Sequence, residues 1–298
     1  MRFPRTLCER RLLGASAALH GSRPEEALRS TEEARHALEN MRRDMGDDVP
    51  PTPAEWDDFE GNIDWLAGTA LLILEDVEPA AERLEAAIAR FARTGNESIT
   101  PALSTLGVAL RKLGRLDDAL GRYQQAVSLL REAGDEINLP IVQQNAGNLC
   151  QQAQRNEEAL SWYAEAKDKF HTQGLVEKEG EIDQGVGCVL FQMGRPAEAA
   201  SAWERASACF ETAGATKKVV QIEMNLGSSA AARCDFDSEV MHLEHAVALS
   251  RSLTGTEPEC AVAAQMLARA YIRLGRIREA LDLMRGSADS AVGEQGRR

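Results

Sequence analysis

Aromatic residues are scarce in this chain: four Trp, three Tyr and seven Phe among 298 residues, or 5%. With so few large rings and abundant alanine, closely packed helices are favoured over a β-sandwich core. Long apolar runs are missing too. The best candidate, residues 65–74, is far shorter than the roughly 18–20 residues a membrane-spanning helix needs, so no membrane insertion is expected. There is no excess of basic residues. The net charge is −13 and the pI near 5.0, which argues against generic nucleic-acid binding. Cysteine pairing motifs are absent. Cys8, Cys150, Cys188, Cys209, Cys234 and Cys260 are spread along the chain without a C-x-x-C, the usage of a reduced, intracellular protein. No phosphate-binding G-x-x-x-x-G-K-S/T loop, G-x-S-x-G elbow or H-E-x-x-H helix occurs. These absences predict no enzyme, no cofactor and no resident metal.

What the chain does have is repetition. Residues 100–133 read as two amphipathic helices joined at Gly114, and the same arrangement recurs about every 40 residues. Three ladders of positions run in phase. Gly68, Gly107, Gly147, Gly187, Gly227 and Ala268 are spaced by 39, 40, 40, 40 and 41 residues. Ala80, Ala119, Ala159, Ala199, Glu239 and Ala280 keep the same intervals. Gly95, Gly134, Gly174, Gly214 and Gly255 each stand just beyond a second helix. A glycine inside a helix costs about 1 kcal/mol against alanine, so its recurrence implies close packing. The third ladder suits a left-handed helix cap. Tyr123, Tyr163 and Trp203 are expected to fill the gap towards the following pair. Glu239, the misfit in the second ladder, is expected at a looser joint or in solvent.

The helix pairs fall at about 8–38, 58–93, 100–133, 138–172, 178–212, 217–252 and 258–286. Residues 41–58 interrupt the period with Pro50, Pro51 and Pro53 among acids, and read as a solvated loop with acidic docking as the alternative. Arg2, Arg5, Arg10 and Arg11 faintly suggest a mitochondrial leader, against a cytoplasmic protein whose first helix starts the array.

Leu106, Gly107, Ala119, Tyr123 and Ala126 match, in order and spacing, the consensus of the tetratricopeptide repeat, which the chain resembles over roughly residues 12–286. The 40-residue period is similar to the long-period subclass of kinesin light chains, Leu-Gly-Asn-type polarity adaptors and bacterial peptide-responsive regulators. The resemblance implies an all-α, right-handed superhelical solenoid of about seven antiparallel helix pairs. It divides the chain into an N-terminal segment 1–11, the solenoid 12–286 with a Pro-rich acidic loop at about 43–56, and a tail 287–298. It further implies a non-catalytic scaffold or adaptor that holds a peptide or helical segment of a partner protein in a concave groove of first helices. The alternative is a ligand-responsive module controlling a separate output protein. The pattern says nothing of oligomeric state.

The groove candidates lie around the Leu-Gly step. The fourth pair is rich in amides: Gln144, Asn145, Asn148, Gln151 and Gln152. Neighbouring pairs offer Arg111 and Lys112, then Gln184, then Asn225 and Ser228, then Arg269 and Arg273. A side-chain amide both donates and accepts, so it can pair with a peptide unit without charge. In the family, asparagines here grip an extended ligand's backbone. Asn145 and Asn225 match that position, while Thr105 and Gly185 interrupt it. The cations are suited to an acidic ligand. Leu72, Ile73, Phe191 and Ile272 read as packing residues or apolar pockets. His242 and His245, with Glu244 between them, read as a half-exposed helix face rather than a metal site. Asn96-Glu97-Ser98 is a glycosylation acceptor only in a secreted protein.

Overall fold

The computed structural model describes residues 3–43, 51–253 and 257–285. The acidic stretch 44–50, Gly255 and the tail from 286 lie outside the described residues. Helices follow one another along the chain: α1 Phe3–His20, α2 Pro24–Arg43, α3 Pro53–Ile73, α4 Val77–Thr94, α5 Ile99–Lys112, α6 Leu116–Ala133, α7 Leu139–Gln152, α8 Asn156–Thr172, α9 Val176–Gln192, α10 Pro196–Thr212, α11 Thr216–Ala232, α12 Phe236–Ser252 and α13 Glu257–Arg273. A further helix, α14, covers 277–285. Among the described residues there is no strand. The architecture is an all-α repeat solenoid of antiparallel hairpins. It forms two compact units, residues 1–149 and 150–298, and the division falls inside α7. In the first unit α1–α2, α3–α4 and α5–α6 are hairpins, and α3 touches both α1 and α5. In the second, α9–α10 and α11–α12 are hairpins, with α8 against α9, α10 against α11 and α12 against α13.

Two turns build each repeat, and both are cut by the same hydrogen bond. After the second helix, the N–H of Asn96, Asp135, Leu175 and Ala215 reaches back five residues to the carbonyls of Phe91, Leu130, Phe170 and Phe210, at 2.8–3.1 Å. Gly95, Gly134, Gly174 and Gly214 take the left-handed conformation this motif requires, as expected. The turn inside each hairpin has the same bond, for example from Arg115 to Leu110 and from Arg195 to Leu190, both 2.9 Å. Its left-handed position is Ser22, Glu75, Gly114, Gln154, Gly194, Cys234 and Gly275 in successive hairpins. Gly114, Gly194 and Gly275 are legible by residue type, and Ser22 falls in the turn the sequence places at residues 21–24, so Glu75, Gln154 and Cys234 were missed. The residue after the turn is often an arginine pairing with an acid three positions on: Arg23–Glu26, Arg115–Asp118, Arg155–Glu158 and Arg195–Glu198, at 2.6–2.8 Å. These pairs are exposed and add little stability.

α1 starts at Phe3, within the segment expected to precede the array. α3 starts at Pro53, five residues earlier than the pattern suggests. Thr52 and Glu55 exchange side-chain-to-backbone hydrogen bonds in a capping box, with Pro53 at the first helical position, where its missing N–H costs nothing.

The glycine ladder is a packing device. A Cβ on Gly68, Gly107, Gly187 or Gly227 would meet Leu84, Tyr123, Trp203 or Leu243, each sixteen residues ahead in the same hairpin, at 2.4–2.9 Å. Tyr123 and Trp203 therefore seat on the glycine of their own pair, and Trp203 also belongs to one buried cluster with Val219, Ile222 and Leu226 of the next. Tyr163 lies against Gly185 of the next pair, as expected. Two more glycines do the same work: Gly61 makes room for Phe91 and Gly180 for Phe210. Ala80, Ala119, Ala159 and Ala199 are fully buried beside these contacts.

Candidate functional site

The first helices are held by buried polar residues, most of them acids. Four residues before the glycine ladder stand Asp64, Gln143, Asp183 and Glu223, all buried. Asp64 on α3 is gripped by Arg35 of α2 at 2.6 Å and by Arg83 and Arg90 of α4 at 3.0 and 2.9 Å. Asp183 on α9 takes Lys167 of α8 at 2.7 Å and Arg205 of α10 at 3.1 Å. Glu223 on α11 takes His242 and His245 of α12 at 2.8 and 3.2 Å. An unpaired buried carboxylate would be costly, and clasping one from flanking helices fixes how those helices sit. Burial pushes the Glu223 carboxyl upward, but the hydrogen bond from His242 and the charges of both histidines outweigh it and leave it below its ordinary value. The histidine pair is thus one side of an acid clasp. Among the described residues, no group of three His, Cys, Asp or Glu could hold a metal.

Glu239 repeats the theme on a second helix. It is 4% exposed, neither in solvent nor at a loose joint. Arg273 of α13 bonds its carboxylate and lies over the Phe236 ring at 5.5 Å. Desolvation raises the Glu239 carboxyl above its ordinary value, and Arg273 offsets only part of that. Arg273, itself 46% exposed, is thus paired with a buried acid of the preceding helix. Lys112 is likewise held by Glu75 of the preceding turn, 2.7 Å away.

In the first unit, α7 presents Gln144 and Asn145 half-buried and Asn148 exposed, and α5 carries Arg111 beside Lys112. In the second unit, Gln151 and Gln152 end α7, Gln184 lies on α9, Asn225 and Ser228 on α11, and Arg269 and Arg273 on α13. Several of these polar groups have internal partners. Gln151 accepts a hydrogen bond from the Tyr163 hydroxyl at 3.1 Å, Asn225 accepts one from Gln221 at 3.5 Å, and Ser228 donates to the Met224 carbonyl at 3.0 Å. Of the four apolar candidates, Leu72 is buried and Phe191 stacks near Trp203, so both are packing residues. Ile73 and Ile272 stand about half exposed.

The first unit also holds an open cleft of about 650 Å³ between α1 and α3. Leu12, Leu13, Phe59, Trp65 and Leu66 supply its apolar wall; Glu9, Glu55 and Asp58 supply carboxylates; Ser16, Asn62 and Asn96 complete it. Asp58 accepts from the Thr94 hydroxyl at 2.7 Å, and Asn96 caps the Ser98 N–H at 2.8 Å, fixing the mouth. Sequence reasoning did not find this cleft, because its walls come from helices some forty residues apart on either side of the irregular stretch. Two of the chain's few aromatic side chains, Phe59 and Trp65, fall together there and were the available signal.

Residues 97–169 match the family model of the tetratricopeptide repeat. No curated protein matches the sequence. Solved structures share the fold. BtubC from P. vanneervenii is 17% identical with a TM-score of 0.61, covering 83% of this chain and 94% of its own. A signal-transduction ATPase with numerous domains and a tetratricopeptide repeat sensor, from Pyrococcus horikoshii, is 15% identical with a TM-score of 0.73; it covers 96% of this chain, which spans 43% of that longer protein. A Rap conjugation gene regulator of the plasmid pLS20, solved in complex with a Phr peptide, is 14% identical with a TM-score of 0.52, covering 96% of this chain and 73% of its own. At these identities the likeness concerns the fold, and the fold is that of tetratricopeptide-repeat proteins.

Proposed function

We propose that this chain is a non-catalytic interaction scaffold that holds an extended or helical segment of a partner protein against its first helices. The observation that carries this reading is the amide cluster on α7, where half-buried Gln144 and Asn145 and exposed Asn148 flank Ala146-Gly147, the α7 counterpart of the Leu-Gly step. Uncharged groups that both donate and accept suit a peptide backbone, whose N–H and C=O alternate. The internal clasps support the reading, because a surface whose helices are pinned loses less freedom on binding. The likeness to a regulator solved with a peptide supports it at the level of fold. Repeat proteins of this family typically work by binding rather than by catalysis.

The test is quantitative partner capture by the wild-type chain and by Asn145→Ala with Asn148→Ala. The expected result is at least a tenfold loss of the captured partner with unchanged helical circular dichroism. Equal capture by both proteins would remove α7 from the site. The second reading, a ligand-responsive module acting on a separate output protein, draws on the sensor found in one of the similar structures. It requires the radius of gyration in solution scattering to change on adding ligand.

A further inference from the structure

We infer that the α11–α12 hairpin is a pH-sensitive joint, whose hold weakens as pH rises through neutrality because two imidazoles close a clasp that permanent cations close elsewhere in the array. Asp64 is held by Arg35, Arg83 and Arg90, and Asp183 by Lys167 and Arg205. Guanidinium and ammonium groups keep their charge across the physiological range. Glu223, 7% exposed, is held instead by His242 at 2.8 Å and His245 at 3.2 Å. The histidines stand at the same register as cations of the other clasps. Arg83 lies three residues beyond Ala80, and His242 three beyond Glu239; Arg205 lies six beyond Ala199, and His245 six beyond Glu239. Lys167 reaches Asp183 from sixteen residues back. Sixteen residues before Glu223 stands Ser207, a neutral and buried side chain.

Among the described residues, no Lys or Arg pairs with Glu223. α10 faces α11 with Ser207 and Glu211, which meet at 3.5 Å, while Arg205 turns to Asp183 of α9. Lys218 of α11 itself is held by Glu177 and Glu181 of α9. On α13, Arg273 holds Glu239 and the Tyr271 hydroxyl donates to Glu244, with Arg276 3.7 Å from the same acid. Glu259 and Arg269 of α13 pair with neither Glu223 nor its histidines. Asp235, the cap of α12, also feels the His242 charge. Burial pushes the Glu223 carboxyl up, and the hydrogen bond and charges of the two histidines bring it below its ordinary value. The clasp therefore works through charge, and histidine loses its charge between pH 5 and 8. A neutral ring still donates one hydrogen bond, so the joint loosens without falling open. A buried carboxylate left without cations is costly, and that cost falls on the packing of α11 against α12. α11 carries Asn225 and Ser228 two and five residues beyond Glu223, so the same titration sets how firmly its polar face is held. The device belongs to the chain without ligand and goes beyond the scaffold reading.

The experiment is hydrogen–deuterium exchange of the full chain at pH 6.0 and 8.5, each amide rate being divided by its intrinsic rate at that pH. The protection of α11 and α12 relative to α9 and α10, whose clasp is permanent, should fall at least fivefold between the two. His242→Gln with His245→Gln keeps neutral donors and should hold that ratio low at both pH values. His242→Arg with His245→Arg supplies the cations of the other hairpins and should hold it high at both. A constant wild-type ratio would overturn the joint. So would a fall of equal size in the Gln pair, which would place the titration on another group. Urea midpoints give a second reading that needs neither double variant. The deficit of Glu223→Gln against wild type should at least halve from pH 6.0 to 8.5, while that of Asp183→Asn stays constant. A Glu223→Gln deficit equal at both pH values would also overturn the assignment. Helical circular dichroism of each variant establishes that the fold is intact.

Discussion

Gly187→Ala tests the packing logic of the repeat through the sign of its effect. In a free helix the substitution stabilises by about 1 kcal/mol, because alanine gives up less backbone entropy than glycine. Here the new methyl would lie 2.4 Å from Trp203 Nε1 and 2.5 Å from Cδ1, the near edge of a 2% exposed indole. The ring must move, and overpacking of this kind costs about 1–3 kcal/mol. Moving it also breaks the bond from Trp203 Nε1 to the Gln184 carbonyl, 3.2 Å long, worth about 1 kcal/mol. The net expectation is a loss of about 1–3 kcal/mol. With a urea slope of about 1–3 kcal/mol/M, a loss of 2 lowers the unfolding midpoint by about 1 M. Urea titrations followed by circular dichroism, with tryptophan emission as the local probe, would read both the loss and the ring displacement. Gly121→Ala is the control: that glycine lies inside α6 with nothing within 4 Å of its Cβ, and its replacement should raise the midpoint. The chain already contains a natural version of the experiment. Where the ladder carries Ala268, the residue sixteen positions ahead, Met284, is 56% exposed rather than seated. If Gly187→Ala stabilised the protein as Gly121→Ala does, the ladder would not be a packing device.

Three further outcomes are expected. At the hairpin turns, Gly194→Ala should destabilise by about 1 kcal/mol through backbone strain alone, since its φ is 72° and open space surrounds its Cβ, whereas Gln154→Gly at φ 57° should stabilise by up to about 1 kcal/mol; midpoints that do not move apart would discount the turn ladder. Asp183→Ala should cost about 2 kcal/mol, below the range for a fully buried pair because Lys167 and Arg205 are 33% and 53% exposed and can turn to water; a melting temperature equal to wild type would contradict the clasp. Glu223 has a folded-state pKa below its ordinary 4.5, so its stabilisation is complete above that value and is lost as pH falls through the lower folded one. The gap in urea midpoint between wild type and Glu223→Gln should therefore be wide at pH 6 and narrow progressively as pH is lowered below 4.5, and a gap that stays equally wide would refute the linkage.

The repeat was legible because its signals are local and periodic. The glycines at 68, 107, 147, 187 and 227 and the caps after the second helices needed only spacing to be read. The hairpin-turn ladder was legible only in part, since Glu75, Gln154 and Cys234 occupy a left-handed position that residue type alone rarely betrays. Glu239 was misread because a charged residue in a helix is ordinarily solvated, and nothing near it in the sequence announces Arg273, thirty-four residues ahead. The histidines at 242 and 245 were assigned to the right helix face, but Glu223, nineteen residues back, gives them their role. The α7 amides were identified by register alone. The α1–α3 cleft was missed because the sequence loses its period there.

Sequence by itself determined that this protein is a helical repeat, where its hairpins begin and end to within a few residues, and which face of each helix turns inward. Helical period, helix caps and glycine spacing act over fewer than ten residues, so they are written along the chain. Tertiary structure alone decided which aromatic ring seats on which glycine, which acids are buried, which cations are spent on them, and where a cleft remains open. Those outcomes depend on Coulomb and packing energies that fall off within a few ångströms in space, and the groups they join lie sixteen or more residues apart in the chain.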